Sequence, residues 1–304
     1  MKRTVNYLLG LVAVAIMFSC SEDADPPIAD FGFEAAEDNS YEIHFSSQAQ
    51  NVNSYMWDFG DGETSTEANP VHTYTNSGDY VVMLTAKGEG GEVVVVKDLY
   101  IAASMLELLT GGPDATEGKK WKMSQTITPG LAGAGHITAE FTNELDAGTD
   151  NGLGLIGLGE EYDNIYTFYH DGTVDINMVN GKGLVSYMYS AVNGHNIVFD
   201  SGLGLTQSEV PNVTGGTWEL IENTDLVLDT YYEEEGIHET ITFPNADYLS
   251  LSDGGYLGLL CFTTKTLIRQ ISKDRMAVTF FMHGSAENPT KPTHMFSISF
   301  DAID

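Results

Sequence analysis

Basic residues are scarce in this sequence of 304 residues, which has 13 Lys and Arg against 44 Asp and Glu and a net charge of −31. Such a surface repels the phosphate backbone of nucleic acids, so nucleic-acid partners are excluded, as is polybasic binding to membranes. Charged residues make up only 19% of the chain and hydrophobic residues 42%, which favours a globular protein over a disordered one. At this length we expect two domains.

Long hydrophobic runs are missing as well. The apolar segment from Tyr7 to Phe18 is shorter than the ~20 residues that a membrane-spanning helix needs, and Lys2 and Arg3 precede it. A basic start followed by a short apolar core is the pattern of a secretory signal peptide. The sequence therefore predicts that residues 1–19 direct export and are then removed.

The end of this segment indicates how the exported chain is held. Met17-Phe18-Ser19-Cys20 resembles a bacterial lipobox, which implies that Cys20 is lipidated and becomes the mature N-terminus. The residues from Ser21 to Asp25 resemble the acidic signal of Bacteroidota-type surface lipoproteins. We therefore expect residues 20–26 to be an acidic tether, with lipid chains that anchor the protein to the outer membrane, facing the cell exterior.

Cysteine is also rare, because only Cys261 remains once Cys20 is lipidated. An intramolecular disulfide is therefore not expected, although the exported compartment would permit one. Cys261 stands between Leu260 and Phe262, so we expect a buried, small apolar residue rather than a nucleophile.

The first folded segment has the features of a small β-sandwich. Apolar and polar residues alternate from Tyr41 to Phe45 and from Tyr80 to Thr85, and Val93 to Val96 is a short apolar strand. Trp57 and Phe59 alternate inwards within a run that ends in Asp61-Gly62, a tight-turn pair.

This run has a family resemblance. The segments Tyr55 to Gly62, Asn69 to Tyr74 and Gly78 to Tyr80 resemble a PKD domain, an immunoglobulin-like module, over residues 27–103. The resemblance implies that these residues are structural, and that the module is a spacer or adhesive unit of a surface protein or extracellular enzyme.

Residues 104–118 are expected to be a linker. Met105 to Leu109 is long enough for one helical turn, and Thr110 to Pro113 then interrupts it. The second domain is predicted over residues 119–304.

Period-two alternation dominates this second domain. Tyr162 to His170, the turn Asp171-Gly172 and Thr173 to Met178 predict a hairpin with Val174, Ile176 and Met178 on one face. Similar runs recur at Thr217–Ile221, Leu226–Tyr232, Glu239–Phe243, Leu267–Ile271, Met276–Met282 and His294–Phe300. Many strands without a sustained helical period predict an all-β protein, in which the immunoglobulin-like sandwich is followed by a larger, jelly-roll-like β-sandwich.

A second resemblance concerns the whole mature chain. Short segments from Leu108 to Gly112, at Lys120-Trp121 and Gly135-His136, from Tyr162 to Phe168 and at Tyr256 to Gly258 look like landmarks of PKD-containing surface glycan-binding lipoproteins of polysaccharide-utilisation systems. The resemblance implies non-catalytic capture of a polysaccharide beside a starch-utilisation-type transporter and its paired binding protein. The anionic surface favours a neutral polysaccharide such as a β-glucan.

The candidate ligand-binding residues are aromatic, because a flat ring stacks on the apolar face of a sugar. Tyr187 and Tyr189 would share one face of a strand, whereas Tyr231 and Tyr232 would lie on opposite faces, so both cannot be buried. The full candidate set is Trp121, Tyr187, Tyr189, Trp218, Tyr231, Tyr232 and Tyr256.

No cofactor is expected, although oxygen ligands in the acidic loop from Glu144 to Asn151 leave structural Ca²⁺ open. Gly152 to Gly157 matches a dinucleotide fingerprint by letter, but it follows an acidic loop and predicts a flexible Gly/Leu loop instead. His238-Glu239 begins a zinc-protease motif, yet Thr242 stands where its second His belongs.

Two other functions stay open at this point. One is an extracellular glycoside hydrolase or lyase; a retaining hydrolase needs a pair of carboxyl groups, which Glu233, Glu234, Glu235 and Glu239 could supply. A structural or adhesion subunit of a surface transport complex would need neither these acids nor exposed aromatic residues.

Overall fold

The computed structural model describes residues 24–37, 39–138, 150–232, 237–283, 287–288 and 290–303, without the side chains of Tyr232 and Ile237. The chain forms two compact units, which divide near Ile101. The first extends to Tyr100 without Thr75–Gly78, and the second contains Thr75–Gly78 and the chain from Ile101 onward. The described residues contain no helix long and apolar enough to cross a membrane.

The first unit is built from two small sheets. Its strands are β1 (Ile28–Ala35), β2 (Glu42–Gln50), β3 (Ser54–Asp58), β4 (Thr64–Ser65), β5 (Val71–Thr73), β6 (Gly78–Gly88) and β7 (Gly91–Ile101). One sheet has the order β1-β2-β5 and the other β4-β3-β6-β7. The strands predicted at Tyr41–Phe45, Tyr80–Thr85 and Val93–Val96 are thus confirmed in β2, β6 and β7.

Aromatic side chains make the core of the first unit. Trp57 and Phe59 are both buried, as their alternation predicted. The Trp57 ring meets Phe31 edge-on at 5.1 Å, and its Nε1–H donates to the Glu67 carbonyl at 2.8 Å. Gly60 adopts a positive φ of 85°, where a side chain would be strained.

The second unit contains most of the strands. They are β8 (Lys119–Met123), β9 (Gly133–His136), β10 (Ile165–Phe168), β11 (Thr173–Asn177), β12 (Lys182–Ser186), β13 (Ile197–Asp200), β14 (Leu205–Glu209), β15 (Val213–Tyr232), β16 (Ile237–Ser252), β17 (Leu259–Leu260), β18 (Lys265–Ile271), β19 (Arg275–Met282) and β20 (His294–Ile303). Its helices are α1 (Met105–Thr110), α2 (Gly152–Leu155) and α3 (Tyr187–Asn193), with a 3₁₀ turn at Glu160–Asp163.

The main sheet of this unit closes on itself. Its strand order is β19-β18-β16-β15-β11-β10-β8-β20-β9, and β19 also pairs with β20 along eight residue pairs from Arg275 to Met282. The eight strands that run from β19 to β20 in this order therefore form a closed, antiparallel ring. The ninth strand, β9, pairs with the first half of β20. The all-β prediction, with a PKD-like module before a larger β-sandwich or barrel-like domain, is confirmed. Closure leaves few strand edges unpaired.

The interior of the ring is apolar and aromatic. Val174, Ile176 and Met178 all face the core, as the predicted hairpin requires. They pack in one cluster with Trp121, Tyr166, Phe168, Phe280 and Phe300, among other buried residues. The hairpin is shorter than predicted, because the 3₁₀ turn occupies Glu160–Asp163 and β10 begins only at Ile165.

A second apolar core lies on the outer face of the ring. The register of β15 against β16 shifts near Thr224, and beyond this point Leu226 and Phe243 pack with Phe281 and Met295. Phe281 faces away from the interior, because the neighbouring Phe280 points into it. The far half of the β15–β16 ribbon therefore covers part of β19 and β20.

The predicted linker at 104–118 is part of the second unit, which corrects the proposed boundary. Its helical turn is confirmed as α1, where the Ser104 hydroxyl accepts the Glu107 amide hydrogen at 3.1 Å. Leu109 is fully buried, and its carbonyl accepts a hydrogen bond from Trp121 Nε1 at 2.9 Å. Because these contacts anchor α1 in the core, the segment is not a free connection.

Cys261 is buried, as predicted, and donates to the Thr263 carbonyl at 3.1 Å. Burial raises the pKa of its thiol to about 12, which leaves it protonated and unreactive at neutral pH.

Candidate ligand-binding cleft

A small sheet beside the ring, together with α2 and the turn before β14, contributes to a cleft in the second unit. The sheet has the order β13-β14-β12-β17, and α3 connects β12 to β13. The Ser186 hydroxyl caps α3 by accepting the Tyr189 amide hydrogen at 3.3 Å, and Gly194 ends the helix at a positive φ of 69°. These elements place the turn before β14 next to α2.

The cleft has a volume of about 330 Å³ and is mainly apolar. Leu153 and Leu155 of α2 and the following Ile156 line it, as do Leu203 in the turn before β14 and Leu205 at the start of β14. The other apolar lining residues, from β19, β20 and the segment around β9, are Ile127, Ala132, Ala134, Met282, Phe296 and Ile298.

The same tetrapeptide supplies both leucine walls. Gly152-Leu153-Gly154-Leu155 forms α2, and Gly202-Leu203-Gly204-Leu205 forms the turn into β14. Gly204 has a positive φ of 78°, and its carbonyl accepts the Tyr187 amide hydrogen at 2.8 Å. The glycine permits the tight turn that points Leu203 and Leu205 at the cleft.

Large apolar side chains remain exposed on the segments around the cleft. Leu155 is 68% exposed and Leu203 is 59% exposed, although both line the cleft. Tyr187 and Phe199, on the neighbouring α3 and β13, are 42% and 41% exposed. A Cβ at Gly157 would lie 2.7 Å from the Phe199 ring, so this glycine leaves room for the ring beside α2. Exposed apolar side chains around an apolar cleft are typical of a ligand-binding surface.

Polar groups are concentrated where β8 leaves the ring. Ser124, Thr126 and Ser299 line the cleft there. Arg275 Nη1 donates to Ser124 Oγ at 3.2 Å, to Thr126 Oγ1 at 3.0 Å and to Asp301 Oδ1 at 2.6 Å. The guanidinium group thus holds the segment after β8 in place.

The described lining of the cleft offers apolar contacts and hydrogen-bonding groups. No Asp or Glu of the described chain lines it. Among the described residues that line the cleft, Tyr162 is the one with a titratable side chain, and burial raises the pKa of its phenol group. In the described ranges, no three His, Cys, Asp or Glu side chains come together as a metal site.

Four of the predicted ligand-binding residues are buried, three of them in the interior of the ring of strands. Trp121 is 0% exposed, and Trp218 and Tyr256 are also buried. The Trp218 Nε1–H donates to the Thr173 carbonyl at 2.7 Å, so its polar edge is used inside the fold. Rings in these positions present no face to a sugar, because they fill the interior of the ring of strands.

The predicted tyrosine pairs also differ from expectation. Tyr187 and Tyr189 lie in α3 rather than in a strand, so they do not share a face. Tyr187 is exposed, whereas Tyr189 is half-buried. The centroid of the Tyr189 ring lies 4.9 Å from that of the Phe262 ring. Tyr231 is buried and donates from its hydroxyl to Glu287 at 2.8 Å. The side chain of Tyr232 lies outside the described residues.

Several other sequence predictions fall on segments that the structure does not describe. These are Cys20 and residues 1–23, most of the acidic loop from Glu144 to Asn151, and Glu233 to Glu235. Glu239 is described and exposed on β16, and His238 precedes it on the same strand rather than on a helix. Gly152–Gly157, expected as a flexible loop, begins with the short helix α2.

Two buried titratable groups were missed by the sequence analysis. Glu161 is fully buried in the 3₁₀ turn, and within the described chain its carboxylate oxygens have no hydrogen-bond partner of normal geometry. Burial raises its pKa, and the nearby Gln207 amide offsets only part of this rise. His283 is 1% exposed, and burial lowers its pKa to about 4. No spacing signal marks either residue, because each is buried by distant segments.

Comparison with known proteins identifies the first unit. Residues 24–102 match the PKD domain family. A collagenase, ColQ1, of Bacillus cereus is 53% identical over 100 residues, which is 31% of this chain and 10% of the collagenase. The chain spans no more than about a tenth of the curated relatives it matches.

Two solved structures are similar to parts or most of this chain. The PKD1 domain of Vibrio cholerae metalloprotease PrtV is 30% identical, with a TM-score of 0.24, and covers 26% of this chain and 100% of its own. A structure described under the carbohydrate-binding modules of the β-sandwich superfamily is 13% identical, with a TM-score of 0.26, and covers 92% of this chain and 93% of its own. On the family match, residues 24–102 are a PKD domain, and a larger β domain follows it.

Proposed function

We propose that this chain is a non-catalytic binding protein of the cell surface, and that its second unit captures an extracellular polysaccharide. The observation that carries the proposal is the apolar cleft with Tyr187 and Phe199 exposed beside it. Aromatic rings that are about two-fifths exposed offer a face on which the apolar side of a sugar ring can stack. The hydroxyl groups of Ser124 and Thr126 at the other side of the cleft can pair with sugar hydroxyls.

The charge of the chain favours a neutral ligand. The net charge is −31, and no Lys or Arg of the described chain lines the cleft. An acidic polysaccharide would be repelled without a basic residue or metal at the site. A neutral polysaccharide such as a β-glucan is therefore the proposed class.

Binding without cleavage fits the chemistry of the cleft. A retaining glycosidase places two carboxyl groups about 5 Å apart, and an inverting one places them somewhat further apart. The described lining provides hydroxyl groups, an amide and apolar side chains instead. Capture rather than hydrolysis is accordingly the proposed activity.

The proposed location rests on the N-terminal segment. A lipid on Cys20 and the acidic residues after it would hold the protein on the outer face of the outer membrane. We further propose a starch-utilisation-type transporter and its paired binding protein as neighbours, because the sequence landmarks resemble proteins that work beside them.

Native affinity electrophoresis tests this function. The lipid-free protein, residues 21–304, is run in gels that contain neutral or acidic polysaccharides, and the same mixtures are assayed for new reducing ends. We expect retardation by a neutral polysaccharide without new reducing ends. Tyr187→Ala and Phe199→Ala should each weaken retention about two- to tenfold, the equivalent of about 0.5–1.5 kcal/mol of ring stacking.

Tyr100→Ala is the matched control, because Tyr100 is an exposed aromatic residue of the first unit. Its retention should equal that of the unmodified protein. New reducing ends would replace the proposal with a hydrolase, and a folded protein that no polysaccharide retards would refute polysaccharide capture.

A further inference from the structure

We infer that the cleft binds a short alkyl or acyl chain carried by a neutral head group, so that the ligand is an acylated sugar rather than a bare one. Chain binding follows from the cleft itself, whereas the sugar head group rests on the proposed function. This assignment goes beyond ring stacking because it concerns the interior of the cleft, which none of the seven aromatic residues predicted to bind ligand lines.

The lining selects an apolar group. Leu153, Ile156, Leu205, Phe296 and Ile298 all line the interior of the cleft. A sugar ring pushed between these side chains would leave hydroxyl groups unpaired, and each would weaken binding about tenfold. A methylene group in the same place strengthens binding about fourfold.

The charges around the cleft select a neutral head group. Arg275 contacts the lining residues Ser124 and Thr126, and it also donates to Thr128 at 2.9 Å and to Asp301 at 2.6 Å. The guanidinium group is thus committed to the protein, and a carboxylate head group would meet only the negative field of the chain. The hydroxyl group of Tyr162 is also used, because it accepts the Leu153 amide hydrogen at 3.0 Å.

The size of the cleft limits the ligand to one chain. At about 330 Å³ it lies at the small end of the ~300–1,000 Å³ range of small-molecule sites. A diacyl lipid would not fit within it. The exposed Leu155 and Leu203 at its edge would be covered by the part of the ligand that joins chain to head group.

A series of n-alkyl β-glucosides, from hexyl to nonyl, tests the inference by isothermal titration of the lipid-free protein below each micelle concentration. The dissociation constant should fall about fourfold for each added methylene group until the cleft is filled, and then level off. Octanoate should bind at least tenfold more weakly than octyl glucoside, because its head group is charged. Glucose alone should show no measurable heat.

Two variants locate the chain. Ala134→Phe fills the cleft from β9 and should weaken octyl glucoside at least tenfold. Leu203→Ser should weaken it about threefold, and it leaves folding intact because Leu203 is mostly exposed. Val192→Ser is the control, since Val192 is an exposed apolar residue of α3 that does not line the cleft. Its affinity should be unchanged.

The outcomes separate this inference from the proposed function. Affinity independent of chain length, or unaffected by both Ala134→Phe and Leu203→Ser, overturns the inference even if the affinity gels show polysaccharide capture. Octanoate that binds as tightly as octyl glucoside overturns the neutral head group. A clear chain-length series without retardation in any gel keeps chain binding and refutes polysaccharide capture alone.

Discussion

His283 gives the second unit a calculable sensitivity to acid. It directly follows β19 and is almost completely buried, with Nε2 at 3.1 Å from Thr263 Oγ1 and the ring edge-on to Phe262. Its Nδ1 has no hydrogen-bond partner in the part of the chain that the structure describes. Burial lowers the pKa of His283 from 6.5 to about 4, and the backbone of Thr290 opposes this only in part.

The size and the sign of the effect follow from this pKa. Below pH 6.5 the unfolded chain binds a proton at His283, whereas the folded chain does so only near pH 4. The free energy of unfolding is therefore unaffected above pH 6.5 and falls as the pH drops through this window. The pKa values of His283 in the unfolded and folded chains differ by about 2.5. At ~1.36 kcal/mol per pKa unit, this difference lowers the free energy of unfolding by about 3 kcal/mol at pH 4.

Urea unfolding between pH 7 and pH 4 measures this loss. The signal is tryptophan fluorescence, with Trp57 of the first unit replaced by Phe in every protein compared, so that only Trp121 and Trp218 of the second unit report. His283→Gln keeps a group able to pair with Thr263 and should lose about 3 kcal/mol less than the unmodified protein over this range. His136→Gln, at an exposed site of the same unit, should follow the unmodified protein. Parallel curves for His283→Gln and the unmodified protein would refute the reasoning.

Two further predictions concern Glu161 and Cys20. Burial raises the pKa of Glu161 above 4.5, so the carboxyl group ionises in the unfolded chain at a lower pH than in the folded chain. The free energy of unfolding therefore falls as the pH rises from 4.5 to the pKa of the folded state. Glu161→Gln should raise the free energy of unfolding by about 1–3 kcal/mol at pH 7, measured by urea unfolding, and leave it unchanged below pH ~4. An equal gain at both pH values would contradict a raised pKa of Glu161. Cys20→Ala should abolish labelling with radioactive palmitate and release the protein from the outer-membrane fraction, whereas a variant that stays labelled and membrane-bound would exclude this anchor.

Local patterns were sufficient to predict most strands. Val174, Ile176 and Met178 alternate with polar residues, and burial of one face of a strand imposes this period wherever the strand forms. Trp57 and Phe59 follow the same rule in the PKD domain. Prediction succeeded here because the period depends only on neighbours in the chain.

Closure of the main sheet depends on distant segments and was not predictable in this way. β20 pairs with β19 along one edge and with β8 and β9 along the other, although β8 lies far away in the sequence. The runs Thr217–Ile221 and Leu226–Tyr232 were likewise predicted as separate strands, but both lie in β15. A register shift near Thr224 interrupts the alternation without ending the strand.

The cleft was missed because Gly152–Gly157 was predicted as a flexible loop and only aromatic residues were considered as ligand-binding candidates. The repeated Gly-Leu-Gly-Leu at 152–155 and 202–205 was the available signal. Two short segments with the same glycines and the same apolar side chains are suited to form two walls of one site. Ser186 and Gly194 were the signals for α3, because they are typical residues at the start and the end of a helix. They would have moved Tyr187 from a strand to the helix where it is exposed.

The central claim is that the exposed rings and the exposed leucines at the edge of the cleft in the second unit hold the saccharide. The most direct measurement is a methyl and aromatic NMR titration of the lipid-free protein with an oligosaccharide of the polysaccharide that retards it. The account predicts that the signals of Leu155, Tyr187, Phe199 and Leu203 shift with one common dissociation constant. Shifts confined to the PKD domain, or shifts of the second unit that leave these four residues unchanged, would contradict it.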